Sequence, residues 1–187
     1  MRVIAGNYRG RNLKSPPSSE VRPTSDRLRE TLFNVIAPEI EDAVFLDLCA
    51  GSGAVGIEAL SRGASHVTFV DSSREMCKII QSNLDALNIS SNDYSILLSK
   101  SLDFLRRKAA GNHFDIVYFD PPYRDDYGPV LTLIGSTAKE LLAEDALVIA
   151  EHFHKNELPE VIAALNRFRV LKQGDSSLSF YRSSCLR

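Results

Sequence analysis

The feature that most constrains this chain is a glycine turn set between a strand and a helix. Phe45-Leu46-Asp47-Leu48 reads as a buried strand, and Cys49-Ala50-Gly51-Ser52-Gly53-Ala54-Val55-Gly56 follows at once, with helical apolar spacing from Ala54 onward. That order is the opening unit of a βαβ sheet, where glycines permit the tight turn and let a ligand approach the backbone. The GxGxxG spacing alone does not choose the ligand, because nicotinamide and flavin dinucleotide sites share it.

Beyond residue 43 the alternation continues. Strands are expected near 44–48, 66–70, 94–98, 115–119 and 146–150, and helices over 54–61, 73–87, 101–110, 129–142 and 157–166. Two further strand-like runs, 168–172 and 178–181, meet through Gly174-Asp175-Ser176 and predict a hairpin. Upstream, 1–5 and 11–14 can pair across 6–10, 15–19 reads as a loop, and Thr24-Ser25-Asp26 caps a helix over 27–36 that stops near Pro38. The fold class is therefore α/β: a mostly parallel Rossmann-like sheet closing in an antiparallel hairpin. A single domain of 187 residues is expected, with a catalytic core over 43–187 and a small basic extension over 1–38.

Charge separates those two parts. The first thirty residues hold seven Lys/Arg against three acids, whereas the rest holds fifteen against twenty-one. A basic arm beside an acidic core suits contact with a polyanion, and a solvated surface segment is the alternative. Cys49, Cys77 and Cys185 are too far apart for a metal site or a disulfide framework, and no apolar run reaches the roughly 20 residues that span a bilayer. A cytoplasmic protein without metal or membrane partner is the expectation.

Two carboxylates bear on the glycine turn. Asp47 lies four residues before Gly51, where it would repel a pyrophosphate but attract the ammonium of a methionine moiety near a sulfonium. Asp71 ends the second strand, where a carboxylate can accept both ribose hydroxyls of an adenosine. Capping of the following turn or helix is the alternative for each. Together they point to S-adenosylmethionine as cofactor.

The fourth strand runs into Asp120-Pro121-Pro122-Tyr123. Exocyclic amines of guanine and adenine are poor nucleophiles, because the nitrogen lone pair is delocalised into the ring. The Asp120 carboxylate and the Pro121 carbonyl can each accept one N–H, drawing the nitrogen toward tetrahedral geometry. Consecutive prolines stiffen the turn, and Tyr123 offers a ring for stacking on an extruded base. The alternative is a surface turn.

Taken together, Asp47–Gly56, Asp71 and Asp120–Tyr123 resemble the class I S-adenosylmethionine-dependent methyltransferases that modify amino groups. The segments Ile4-Ala5-Gly6, Tyr8-Arg9-Gly10-Arg11, Arg22-Pro23-Thr24 and Asp26-Arg27 through Asn34 resemble more narrowly the bacterial 16S ribosomal RNA guanine-N2 methyltransferases of the RsmD type. That likeness spans essentially the whole chain. It implies methylation of guanine 966 of the small-subunit RNA, by a protein acting as a monomer on an assembled or partly assembled particle. It carries Asp120, Pro121 and Tyr123 over as the target-base site and Gly51, Gly53 and Asp71 as cofactor contacts, with Arg22-Pro23-Thr24 beside the pocket. Where relatives place an Asp or Asn near the adenine, this chain has Ser99-Lys100-Ser101, which makes Ser101 the candidate.

Chemically, an adenine-N6 methyltransferase on DNA or RNA is the nearest alternative, and a nicotinamide-dependent oxidoreductase or a silent RNA-binding module are the others. Arg9, Arg11, Arg22, Arg27 and Arg29 are the candidates for phosphate contact, since guanidinium forks match phosphate oxygens. Arg27 or Arg29 can instead pair with Glu30 or Asp26 on its own helix. His152 and His154 share a strand face but lack a third ligand, so rim or surface positions are expected for both.

Overall fold

The computed structural model describes residues 1–15, 26–108, 113–122 and 125–183. Among these residues eight strands form one sheet: β1 Val44–Leu48, β2 His66–Asp71, β3 Tyr94–Leu98, β4 Phe114–Phe119, β5 Leu142–Phe153, β6 Val161–Ile162, β7 Leu165–Gln173 and β8 Ser176–Ser183. Their order is β3-β2-β1-β4-β5-β8-β7-β6. The first five run parallel, and β6, β7 and β8 complete the sheet through antiparallel pairings. The helices are α1 Asp26–Ile36, α2 Ala54–Ser61, α3 Arg74–Ala86, α4 Ser101–Lys108, α5 Gly128–Ser136 and α6 Ala138–Leu141.

Central strands read as unbroken apolar runs because both faces are covered. Phe45, Val67, Phe69, Ile116 and Ile149 face α1, α2 and α3, while Leu46, Val70, Val117, Phe119 and Val148 face α4, α5 and α6. Strand order reverses between β1 and β4, and ligands of such sheets bind outside the carboxyl ends at that point. At the opposite, amino edge, Glu39, Glu41, Asp42, Asp115, Glu144 and Asp145 surround a cleft of about 280 Å³.

The N-terminal arm folds onto α2 and α3. Arg2 bridges Asn12, and the amides of Val3 and Leu13 donate to the carbonyls of Arg11 and Met1. Gly6, at φ +78°, passes so near α2 that a Cβ there would lie 1.7 Å from the Ser61 carbonyl oxygen. Buried Glu58 accepts the amides of Ile4 at 2.7 Å and Ala5 at 3.0 Å.

Three expectations need correction. No helix forms over 157–166: Pro159 has no amide to donate, and Val161–Ile162 pair with Leu165–Asn166 as a tight hairpin around Ala163 at φ +50°. The helix expected over 129–142 breaks at Thr137, whose hydroxyl donates to the Leu133 carbonyl, and Leu142 already belongs to β5. His152 is not on the rim. It is 3% exposed because β5 extends to Phe153 against β8, and its Nε2 lies 2.9 Å from Ser179 Oγ. Among the described residues no helix is long and apolar enough to cross a membrane, and no group of three or more His, Cys, Asp or Glu is placed to hold a metal.

Candidate active site

The glycine turn is built by three glycines, each for its own reason. Gly51, at φ +54°, is open on its outer side, since a Cβ there would meet nothing within 4 Å. Gly53, at φ +79°, precedes the first turn of α2 and sits against Ile80 and Phe69. Gly56 lets α2 lie on β2: a Cβ there would be 2.2 Å from Phe69 Cε1. The Cys49 and Ala50 amides both donate to the Val70 carbonyl, at 2.9 and 3.1 Å, which fastens the turn to β2.

Asp71 is the hub of the cofactor side. Its Oδ2 accepts the Gly51 amide and its Oδ1 the Ser73 amide, both at 2.8 Å, while its own carbonyl takes the Ser99 amide. Each carboxylate oxygen keeps further acceptor capacity toward a hydroxyl pair. Ser101 opens α4, and its Oγ lies 3.3 Å from Cys49 Sγ. Burial, first of all, pushes the Cys49 thiol up to about 12; the Ser101 contact opposes this, while Asp71, Asp120 and Asp47 reinforce it. The three expected site carboxylates thus lie close enough to this turn to act on its thiol.

Asp47 does not stand in the open. It is 1% exposed, and Oδ2 accepts the Gly56 amide at 2.9 Å, so the carboxylate caps the start of α2 from beneath. On the other side, Asp120 continues β4: its amide donates to the Leu48 carbonyl at 3.2 Å, which sets the Asp-Pro step directly beside the glycine turn. Pro121 is buried and Pro122 exposed. Behind them, Tyr118 Oη donates to Glu151 Oε2 at 2.5 Å and Ser176 Oγ donates to Glu151 Oε1 at 3.0 Å, locking β4, β5 and β8 together below the rim. Tyr123 and Arg22 lie outside the described residues, as do Thr24 and Ser25.

Among the arm's cations, Arg9 and Arg27 are exposed. Arg11 donates through Nη2 to the Ala86 carbonyl at 2.8 Å and so caps the end of α3. Arg29 is a correction. It is wholly buried, with Nη2 bonded to the Arg2 carbonyl and to Asp26 Oδ1 and Nε 3.9 Å from Glu58, and that burial keeps it from any phosphate. Pairing with Asp26 on its own helix is the alternative that holds.

Two residues were missed in the sequence. Asn83, buried on α3, accepts the Lys14 amide and donates to the carbonyls of Lys14 and Ser52, so one side chain ties the arm to the glycine turn. The available signal was a polar residue adjoining the apolar stripe Ile80, Leu84, Leu87. Leu98 pairs with Asp71 at the end of β3 and is 47% exposed, an apolar surface at the rim. Carboxylates beside the turn, an open glycine, a carboxylate with spare acceptor capacity and an apolar flank fit a cationic nucleoside such as S-adenosylmethionine.

The model of the family described as Conserved hypothetical protein 95 matches residues 1–182. The chain belongs to this family. The Ribosomal RNA small subunit methyltransferase D of Escherichia coli K12 is 40% identical over 92% of this chain and 86% of its own length. A solved structure of the Escherichia coli protein yhhF superposes with a TM-score of 0.86 at 36% identity, covering 100% of this chain and 99% of that one. A solved S-adenosylmethionine-dependent methyltransferase from Agrobacterium tumefaciens, 19% identical with a TM-score of 0.64 over 88% of this chain and 63% of that one, shares the fold. The sheet, mostly parallel with antiparallel strands at its C-terminal end, is the class I methyltransferase fold that the motifs imply.

Proposed function

We propose that this chain transfers a methyl group from S-adenosylmethionine to the exocyclic N2 amine of a guanine in small-subunit ribosomal RNA, at a position of the guanine 966 type. The observation that supports the reading is the Asp120–Leu48 backbone bond, which holds the Asp120-Pro121 step beside a glycine turn with carboxylates around it. The fold and the family's curated rRNA methyltransferases support it.

When bound, S-adenosylmethionine supplies an electrophilic methyl group on a sulfonium. The chain's residues do the rest. Asp71 accepts the ribose hydroxyls, Gly51 and Gly53 allow close backbone approach, and Leu98 with Ser101 flanks the adenine. Asp47, under the turn, attracts the ammonium in its ionised form, through its field and not by contact. The Asp120 carboxylate and the Pro121 carbonyl accept the two amine hydrogens, hold the lone pair outward, and leave Asp120 placed to take the surplus proton. Tyr123 stacks on the base. Arg9, Arg11, Arg22 and Arg27 bind phosphates, and the protein works as a cytoplasmic monomer on the small subunit.

The test is transfer of labelled methyl to naked small-subunit rRNA, to undermethylated small subunits and to duplex DNA, followed by nucleoside analysis. Label in N2-methylguanosine is expected. Label in N6-methyladenosine would replace the guanine assignment with the adenine one.

A further inference from the structure

A cleft of about 580 Å³ lies between the arm and α1, separate from the glycine turn. Arg2, Arg9, Arg27 and Arg62 line it, against Asp26 and Glu30. Arg62 is committed, with Nε 2.7 Å from Glu58 and its guanidinium over the Phe33 ring at 4.9 Å. Arg2 is only loosely engaged: Nε is 3.6 Å from Asp26 and the side chain is 68% exposed. Arg9 and Arg27 are exposed.

The cleft has a direction. Thr31 on α1 bonds Gln173, the last residue of β7, at 2.8 Å. Since β7 runs parallel to β5, Gln173 stands at the same sheet edge as Asp120, and Arg27, a turn earlier in α1, stands there too. Arg9 sits at the other end: its neighbours Asn7 and Tyr8 donate to the carbonyl and hydroxyl of Ser61, where α2 ends at the amino edge. Between Arg27 and Asn34 the lining follows α1 for about 10 Å. Past Arg62 the Gly63 carbonyl accepts the Asp42 amide at 2.8 Å, and the acidic cleft begins. A polyanion following the arginines stops there.

We propose that this cleft is a second RNA subsite, holding a single-stranded phosphodiester segment that flanks the target nucleotide, with Arg27 and Arg2, both beside Asp26, at the end nearest the catalytic rim and Arg9 at the far end. The proposal rests on the reading of the chain as an RNA methyltransferase. Guanidinium groups along one wall match a phosphate track, and a space of this volume is too small for a duplex and takes only a short stretch of one strand. Glu30, exposed within the track, opposes the phosphates and moderates affinity.

The experiment is fluorescence titration of a labelled small-subunit rRNA fragment with the full chain, run over a salt series, for wild type, Arg9→Gln, Arg27→Gln and Glu30→Gln. Parallel methylation assays and calorimetry with S-adenosylhomocysteine complete it. Each arginine variant is expected to weaken RNA binding about tenfold, and to lower the salt slope by about 0.7, with S-adenosylhomocysteine affinity retained. Glu30→Gln is expected to tighten RNA binding, a gain that misfolding cannot imitate. Shortening the fragment from the end that occupies the cleft should erase the Arg9→Gln effect before the Arg27→Gln effect.

Unchanged affinity and slope in both arginine variants, with wild type still methylating RNA, would overturn the subsite alone. Effects confined to assembled subunits and absent on naked RNA would overturn it in favour of a ribosomal protein as partner. A wild type that methylates no RNA defeats the reading of function, and the binding titration still decides the cleft.

Discussion

The backbone amide of Gly56 donates to Oδ2 of Asp47 at 2.9 Å, pinning the first turn of α2 to the penultimate residue of β1. Burial pushes this carboxyl from 3.8 up to about 7, with the Gly56 bond opposing and Asp71 adding to the shift. An acid raised by folding is penalised once ionised, so its contribution is complete below the unfolded value and is lost as pH climbs through about 7. Asp47→Asn should remove that dependence. In denaturation series between about pH 4 and 8, the stability gap is expected to move in the variant's favour by on the order of a few kcal/mol up to pH 7, then level off. A gap that does not vary with pH would show that Asp47 ionises normally.

In the proposed mechanism Asp120 acts on the amine and not on the adenosine. Asp120→Ala should lower kcat by about 10²–10³-fold, the range for loss of one preorganised polar group. Calorimetry should find S-adenosylhomocysteine affinity close to wild type. A comparable loss of cofactor affinity would place Asp120 in the wrong half of the site.

Gly51 and Gly56 should respond to alanine in opposite ways. At Gly51 the space is open and only φ +54° is unfavourable, so Gly51→Ala should cost about 1–2 kcal/mol of stability while obstructing the ligand's approach to the backbone. At Gly56 the new methyl meets Phe69 at 2.2 Å, so Gly56→Ala should chiefly lower Tm, by an overpacking cost of about 1–3 kcal/mol. Thermal melts with and without S-adenosylhomocysteine separate the two: ligand stabilisation should vanish in the first variant and persist in the second.

Glu58 holds the arm down. It accepts Ile4 and Ala5 amides and pairs with Arg62 at 2.7 Å and with buried Arg29 at 3.9 Å. Burial lowers the Arg29 pKa, and Glu58 is the main group opposing that. Glu58→Gln should cost about 3–5 kcal/mol, because buried Arg29 loses one of its two carboxylate partners and Arg62 loses its own. Hydrogen exchange should quicken first at the Ile4 and Ala5 amides; unchanged protection there would mean that the arm is held by Ser61 and Asn83 alone.

Much of the fold was legible because its strands are apolar on both faces and its turn glycines obey local rules. The glycine turn, the strands over 44–48 and 94–98 and the hairpin at Gly174-Asp175 are all set by neighbours in sequence. The stretch 157–166 misled because Leu158, Ile162 and Leu165 fall at helical spacing, yet each is buried from a loop or a hairpin. Periodicity records which residues face inward and not the backbone that turns them there. In the site, residue types were readable but their access was not. Arg29 and Asp47 look like surface ligands on paper, and only packing by Glu58 and by α2 puts both out of solvent.

The six carboxylates at the amino edge lie across the sheet from Asp120, with the exposed arginines between. Near a negatively charged particle these six carboxylates are repelled while the arginines of the arm and α1 are attracted, so the field favours approaches in which the arginine-lined face leads. Productive encounters become more frequent than random orientation allows, and the advantage fades as added salt shortens the reach of the field.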